Sequence, residues 1–305
     1  MKLGLAHLID PRLHPLVDES RDFYVSRPAR RGPDGWEELR VVRQRGGARE
    51  APGPQPVEEV VAVGRREVPV RIHTPVGESP SAVLLELHGG GFYLGSAAES
   101  DAANRRLVDA LGVAVVSVDY RLAPEHPWPA ATDDAETAAL WLAEHAPERF
   151  GTSTLGLVGF SAGSTLALTT LLRLRGRRRQ EFDTAVLQFG TYDLSGETPA
   201  GRLIADEYFL EAYAGGVSDR THPHLSPIYA DLAELANLPP ILMVVGEDDV
   251  LLEDNLAMAT RLQAGGVDVV LRVYPDTPHG FTRHPTPMAR AALDDIEEWL
   301  AGALD

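Results

Sequence analysis

The stretch from Leu155 to Leu168 constrains the fold of this chain more than any other. A short apolar run rich in strand formers reaches Gly159, and a helix-like apolar pattern begins just after Ser161, with almost no loop between the two. Passing from strand to helix in so few residues demands a very tight turn, and the small flanks Gly159 and Gly163 are what such a turn requires. In this setting G-x-S-x-G presents a serine hydroxyl as a nucleophile. Alone the pattern is weak, because a glycine-flanked serine also occurs in ordinary surface turns. The other parts of an acyl-transfer site must be sought elsewhere in the chain.

Around that turn the chain alternates. Strand-type runs lie at 82–87, 113–118, 185–189, 241–245 and 267–274. Helix-type patterns lie at 97–110, 131–144, from the turn to Leu174, at 251–264 and at 288–301. Such alternation predicts an α/β fold: a mostly parallel sheet with helices on both faces. Two further strands, 60–63 and 68–74, meet around Gly64. With 305 residues, 44% of them hydrophobic, the chain can fill one such core and carry extra segments. Residues 1–55 predict a helical arm ending in a flexible Gly/Arg/Pro-rich link at 43–56. Residues 191–238 break the rhythm, with one helix-like piece at 204–213. An insertion there lies over the carboxyl ends of the strands, where open α/β sheets bind ligands, and predicts a cap. The expected division is a core of 56–190 and 239–305, a cap of 191–238, and an arm of 1–55 contributing to the cap.

Composition excludes several chemistries. There is no cysteine, so disulfides and thiol catalysis are ruled out. The formal charge of −17 argues against a nucleic-acid partner and is read as a solubility feature. No stretch approaches the roughly 20 apolar residues of a membrane span, and Asp10, Pro11 and Arg12 interrupt any signal-peptide core. A cytoplasmic protein is the expectation.

His88, Gly89, Gly90, Gly91 and Phe92 follow directly on the strand at 82–87. Three consecutive glycines let backbone N–H groups approach a ligand unobstructed, and no G-x-x-x-x-G-K-[ST] sequel makes this a phosphate loop. A triad on this type of fold has its acid and then its histidine after the serine. His279 lies past the last strand in a loop stiffened by Pro275 and Pro278, whereas His284 sits in a more polar stretch and is disfavoured. Glu247, Asp248 and Asp249 close the strand at 241–245. Three successive acids could equally be a solvated helix start, and spacing does not choose between Asp248 and Asp249. His222 and His224 lack a third ligand in sequence and are read as loop histidines, so no metal is expected. The basic run Arg173, Arg175, Arg177, Arg178 and Arg179 is read as complementing a helix C-terminus.

His88 to Phe92, Tyr120 to Ala130, Gly159 to Gly163 and Pro278 to Phe281 together carry a resemblance. From Val57 onward the chain resembles the hormone-sensitive-lipase-like (family IV) carboxylesterases of the α/β-hydrolase fold. The resemblance implies a Ser161–His279–Asp249 triad, Val250 standing where the family usually has proline after its acid. It implies an oxyanion hole of Gly90, Gly91 and Ala162, with His88 and Gly89 supporting the loop. No cofactor is implied. The expected substrates are small esters with short- to medium-chain acyl groups, in an apolar pocket with Phe92, Tyr93 and Phe160 as lining candidates. A lactonase, a natural-product deacetylase or an acyltransferase would use the same triad. A non-catalytic ligand receptor of this fold usually lacks the histidine that is present here as His279. Relatives are often homodimers, but no pairing surface is legible in this chain. Two departures stand out: Phe160 replaces a polar residue of the family's elbow, and Ser164 replaces its last glycine.

Overall fold

The computed structural model describes residues 7–25, 27, 32–45, 53–177 and 181–304. Its centre is an eight-stranded sheet built from β1 (Val57–Val63), β2 (Arg66–His73), β3 (Val83–Leu87), β4 (Ala114–Val118), β5 (Leu155–Phe160), β6 (Thr184–Gln188), β7 (Ile241–Gly246) and β8 (Val269–Tyr274). The order across the sheet is β1-β2-β4-β3-β5-β6-β7-β8. β1 and β2 form an antiparallel hairpin, and β2 is antiparallel to β4. Every other pairing is parallel. The central strands read as near-continuous apolar runs because both of their faces are covered: β3, β4, β6 and β7 are buried at every position, Glu86 and Ser117 included.

Helices α1 (Val17–Val25), α2 (Trp36–Arg45), α3 (Asp101–Leu111), α4 (Ala130–Phe150), α5 (Ala162–Gly176), α6 (Pro199–Arg202), α7 (Tyr208–Ala214), α8 (Leu232–Leu235), α9 (Leu252–Ala264) and α10 (Pro287–Leu304) complete the described chain. Strand alternation sends neighbouring side chains to opposite layers. Val83, Leu85 and Leu87 join the apolar layer of α4, α5 and α9. Leu84, between them, joins the layer of α3 and α10, which Leu13 also enters.

Three expectations need correction. α4 continues past Glu144 to Phe150 and carries Pro147 within its last turn, where the missing N–H costs only one bond near a frayed end. Of the helix-like piece at 204–213 only 208–213 is helical, as part of α7, and a separate short helix, α6, precedes it at Pro199–Arg202. In the arm, α2 runs to Arg45, so the first residues of the expected link are helical. Of the remainder of that link, 46–52 lies outside the described residues, and 53–56 leads without a helix into β1. No helix among the described residues is long and apolar enough to cross a membrane.

Candidate active site

β5 ends at Phe160 and α5 starts at Ala162, which leaves Ser161 alone to make the turn, at φ 53° and ψ −119°. A positive φ on a residue with a Cβ costs about 1–3 kcal/mol and persists only where surroundings enforce it. Here Ser161 N–H donates to Gln188 O at the end of β6 (2.9 Å), and Ser161 O accepts from Ser164 N–H (2.8 Å). The flanking glycines are sterically required. A Cβ at Gly163 would stand 1.9 Å from Leu87 O, and one at Gly159 would stand 2.5 Å from Ser164 Cα.

The loops after β7 and β8 are bound to each other. Glu247 N–H donates to Tyr274 O (2.8 Å) and Asp248 N–H to Thr277 O (3.1 Å). Thr277 Oγ1 in turn donates to Tyr274 O (2.9 Å). This pairing brings the fully buried Asp249 carboxylate to His279, with its Oδ1 and Oδ2 at 3.1 and 2.9 Å from Nδ1. The opposite ring nitrogen, Nε2, lies 2.9 Å from Ser161 Oγ. Asp249 Oδ1 also accepts from Leu251 N–H (2.8 Å). Asp248 reaches the neighbouring loop through its backbone; desolvation, then the nearby Asp276, raises its carboxyl above the usual range.

The glycine loop turns back on itself after β3. Gly90 O accepts from Tyr93 N–H (3.1 Å) and Leu94 N–H (2.8 Å). Gly90 and Gly91 have φ of 119° and 57°, and a Cβ at Gly90 would meet Leu94 O at 2.1 Å. Among the described residues, the N–H groups of Gly90, Gly91 and Ala162 donate to no group of the chain. Behind them His88 is buried, stacked on Tyr120 with centroids 4.0 Å apart, its Nδ1 2.7 Å from Gly89 O. Tyr120 OH donates to His88 O (2.7 Å). Burial pushes the His88 ring down to about 4, which keeps it neutral. Gly89 packs so closely on Phe160 that a Cβ would lie 2.5 Å from the ring.

Gly90, Gly91, Ser161, Ala162 and His279 all line one cavity of about 630 Å³. Tyr93 and Phe160 line it as well. Tyr93 lies near-parallel to Phe209, and burial, then Glu207, raises its phenol to about 12. Phe92 does not line the cavity. With φ 63° it turns inward, is fully buried, and stacks on Tyr213 of α7 with centroids 4.0 Å apart. Sequence reasoning missed other walls: Gly32 from the arm, Leu203, Ile204 and Phe209 from the insertion, and Arg283. Arg283 lies four residues past His279 in the same loop, and that proximity was the available signal.

The other candidates lie elsewhere. His222 and His224 face each other with centroids 5.1 Å apart, and among the described residues no three His, Asp or Glu side chains gather as a metal site. His284 Nδ1 contacts Tyr24 OH (3.0 Å) beneath the arm. Arg173 and Arg177 pair with Asp133 and Glu136 of α4, and Arg175 donates to Ala236 O. Arg178 and Arg179 fall outside the described residues.

A sequence profile for proteins of the alpha/beta hydrolase fold matches residues 84–283. The chain is 36% identical over 233 residues to the ethyl acetate hydrolase of Pseudomonas putida, covering 71% of this chain and 72% of that one. It is 33% identical over 298 residues to the carboxylic ester hydrolase LipN of Mycobacterium tuberculosis, covering 90% and 77%. In three dimensions it is similar to the Pyrobaculum calidifontis esterase in its monoclinic form. The TM-score is 0.82 at 27% identity, over 96% of this chain and 98% of that one.

Proposed function

The chain belongs to the α/β-hydrolase family, in its hormone-sensitive-lipase-like group of carboxylesterases, and from that premise we propose that it cleaves small esters through an acyl-enzyme on Ser161. The observation that carries this reading is the continuous line of contacts from Asp249 Oδ2 to His279 Nδ1 (2.9 Å) and from His279 Nε2 to Ser161 Oγ (2.9 Å).

Ser161 Oγ attacks the acyl carbon while its proton passes to His279 Nε2. Asp249 holds the ring with its proton on Nδ1 and stabilises the imidazolium that forms. The N–H groups of Gly90, Gly91 and Ala162, having no acceptor among the described residues, are available to the negative oxygen of the tetrahedral intermediate. Such a donor contributes about 2.7–4 kcal/mol to the transition state. Collapse expels the alkoxide, which takes the proton from His279. A water molecule then gives a proton to the same nitrogen and attacks the acyl-enzyme, and collapse releases the acid as His279 returns that proton to Ser161 Oγ.

The mostly apolar walls of a cavity of about 630 Å³ suit short- to medium-chain acyl groups. Residues 191–238 act as a cap, and the arm 1–55 joins it through Gly32. The core comprises 56–190 and 239–305. The names of the relatives favour ester hydrolysis over lactone opening or acyl transfer.

The test is a graded p-nitrophenyl ester series together with fluorophosphonate labelling. Turnover of the acetate and butyrate esters is expected, with the label on Ser161 and none on Ser161→Ala. Folded wild-type protein that neither turns over esters nor takes the label would sink the reading.

A further inference from the structure

A second cavity, of about 390 Å³, lies beside the catalytic one, and Phe160 and Arg283 line both. Its apolar wall comes from Leu107, Val158, Leu293 and Ile296, on the face of the sheet covered by α3 and α10. One end is polar: Glu86 accepts from Ser100 and Ser117 there, with the buried Asn104 amide alongside. The two spaces are therefore divided by one aromatic ring and one guanidinium.

The ring is held from several sides. Arg283 lies over its face, with the guanidinium carbon 4.0 Å from the centroid. Phe189 meets it edge-on at 4.7 Å and itself abuts His279 at 5.1 Å. Gly89 presses on the ring from the oxyanion loop, and Gly280 lies near its tip. Among the described residues Arg283 has no carboxylate partner in ion-pair range, so stacking on Phe160 is its principal contact. A cation over an aromatic face is attracted by the ring quadrupole. The partition is thus closed by a clamped ring rather than by a freely rotating side chain.

We propose that Phe160 is a specificity-determining partition: its ring, backed by Arg283, ends the catalytic cavity and sets the longest apolar chain that an ester can bring to Ser161. Removing the ring joins the second cavity to the first. The joined space takes linear alkyl or acyl chains along Leu107, Val158 and Ile296. This inference rests on Ser161 being the nucleophile.

The experiment compares wild type, Phe160→Ala and Phe160→Leu on two substrate series, p-nitrophenyl esters of C2–C12 acids and acetate esters of C2–C10 alcohols. The two series distinguish a chain carried on the acid from one carried on the alcohol. Each methylene that gains a buried place raises kcat/KM by about fourfold. In one series Phe160→Ala should therefore raise the long-to-short ratio of kcat/KM at least about tenfold, and Phe160→Leu should move it less in the same direction. Ala103→Trp, on the exposed side of α3 but lining the second cavity, should refill that space. It should leave the wild-type ratio unchanged and return the Phe160→Ala ratio toward wild type. Folded variants that still cleave short esters but keep the wild-type ratio in both series would overturn the proposal. So would a gain that Ala103→Trp does not reverse. Absence of any turnover or labelling in wild type would instead count against the nucleophile assignment.

Discussion

Asp249 is the carboxylate that meets His279 because the two loops are paired through the backbone of the residue before it. Asp248 N–H is spent on Thr277 O, and the following side chain is thereby turned inward onto the imidazole. The same carboxylate accepts from Leu251 N–H. Replacing Asp249 by Asn keeps the shape but supports the wrong ring tautomer, so kcat should fall by roughly 10⁴. Asp248→Asn, at an exposed position outside that contact, should stay within about threefold. Measuring kcat for both variants checks the assignment, and the opposite ranking would refute it. In the sequence these two acids are indistinguishable by spacing, since the deciding contact is made with a loop thirty positions away. Phe92 was hidden for a similar reason. Its neighbour Tyr93 reaches the cavity, while a single positive φ sends Phe92 into the core against Tyr213.

At the level of elements, strand–helix alternation was readable because the central strands are short, mostly apolar runs and helices such as α3 and α10 carry a one-sided apolar face. Ends were less readable. α4 absorbs Pro147, since α4 packs along the sheet and α5 and the proline falls in its final turn. The insertion resisted reading most. α6 and α7 are too short to show a period, and their placement depends on contacts such as Tyr213 with Phe92 and Thr132. The seam between the β7 and β8 loops was invisible in sequence, yet Gly246 makes it possible: a Cβ there would lie 2.1 Å from Thr277 O. Gly246→Ala should push the His279 loop away from Ser161. A misplacement of about 1 Å can cost 10²-fold in rate, so kcat should drop by about that factor in a protein that remains folded. Single-turnover kinetics and a thermal melt together would check this; an unchanged kcat would show that the seam does not position the histidine.

For the molecule as a whole, Asp254 on α9 ties the insertion to the core. Its Oδ2 accepts from Tyr192 N–H (2.5 Å) and Asp193 N–H (3.2 Å), while among the described residues its buried Oδ1 has no partner. Desolvation raises this carboxyl to about 7, from an ordinary value of 3.8. The folded state therefore binds the proton more tightly than the unfolded state. The resulting stabilisation is complete below about pH 4 and is lost as pH rises through about 7. Asp254→Asn keeps the acceptor oxygen and removes the ionisation. Its melting temperature relative to wild type should rise between pH 5 and pH 8, and a difference that stays flat across that range would contradict the assignment. A second molecular consequence follows from where the contacts of Ser161 originate. Its partner His279 is 118 positions downstream, in the loop after β8, which forms the outer edge of the sheet beside β7. Contacts of such long sequence separation close late, because the loop entropy they cost comes before their reward. On the proposed triad, a nascent chain still lacking β8 holds its serine hydroxyl without a base and should be inert toward the esters around it, and turnover regained after denaturation should come no earlier than the docking of that strand.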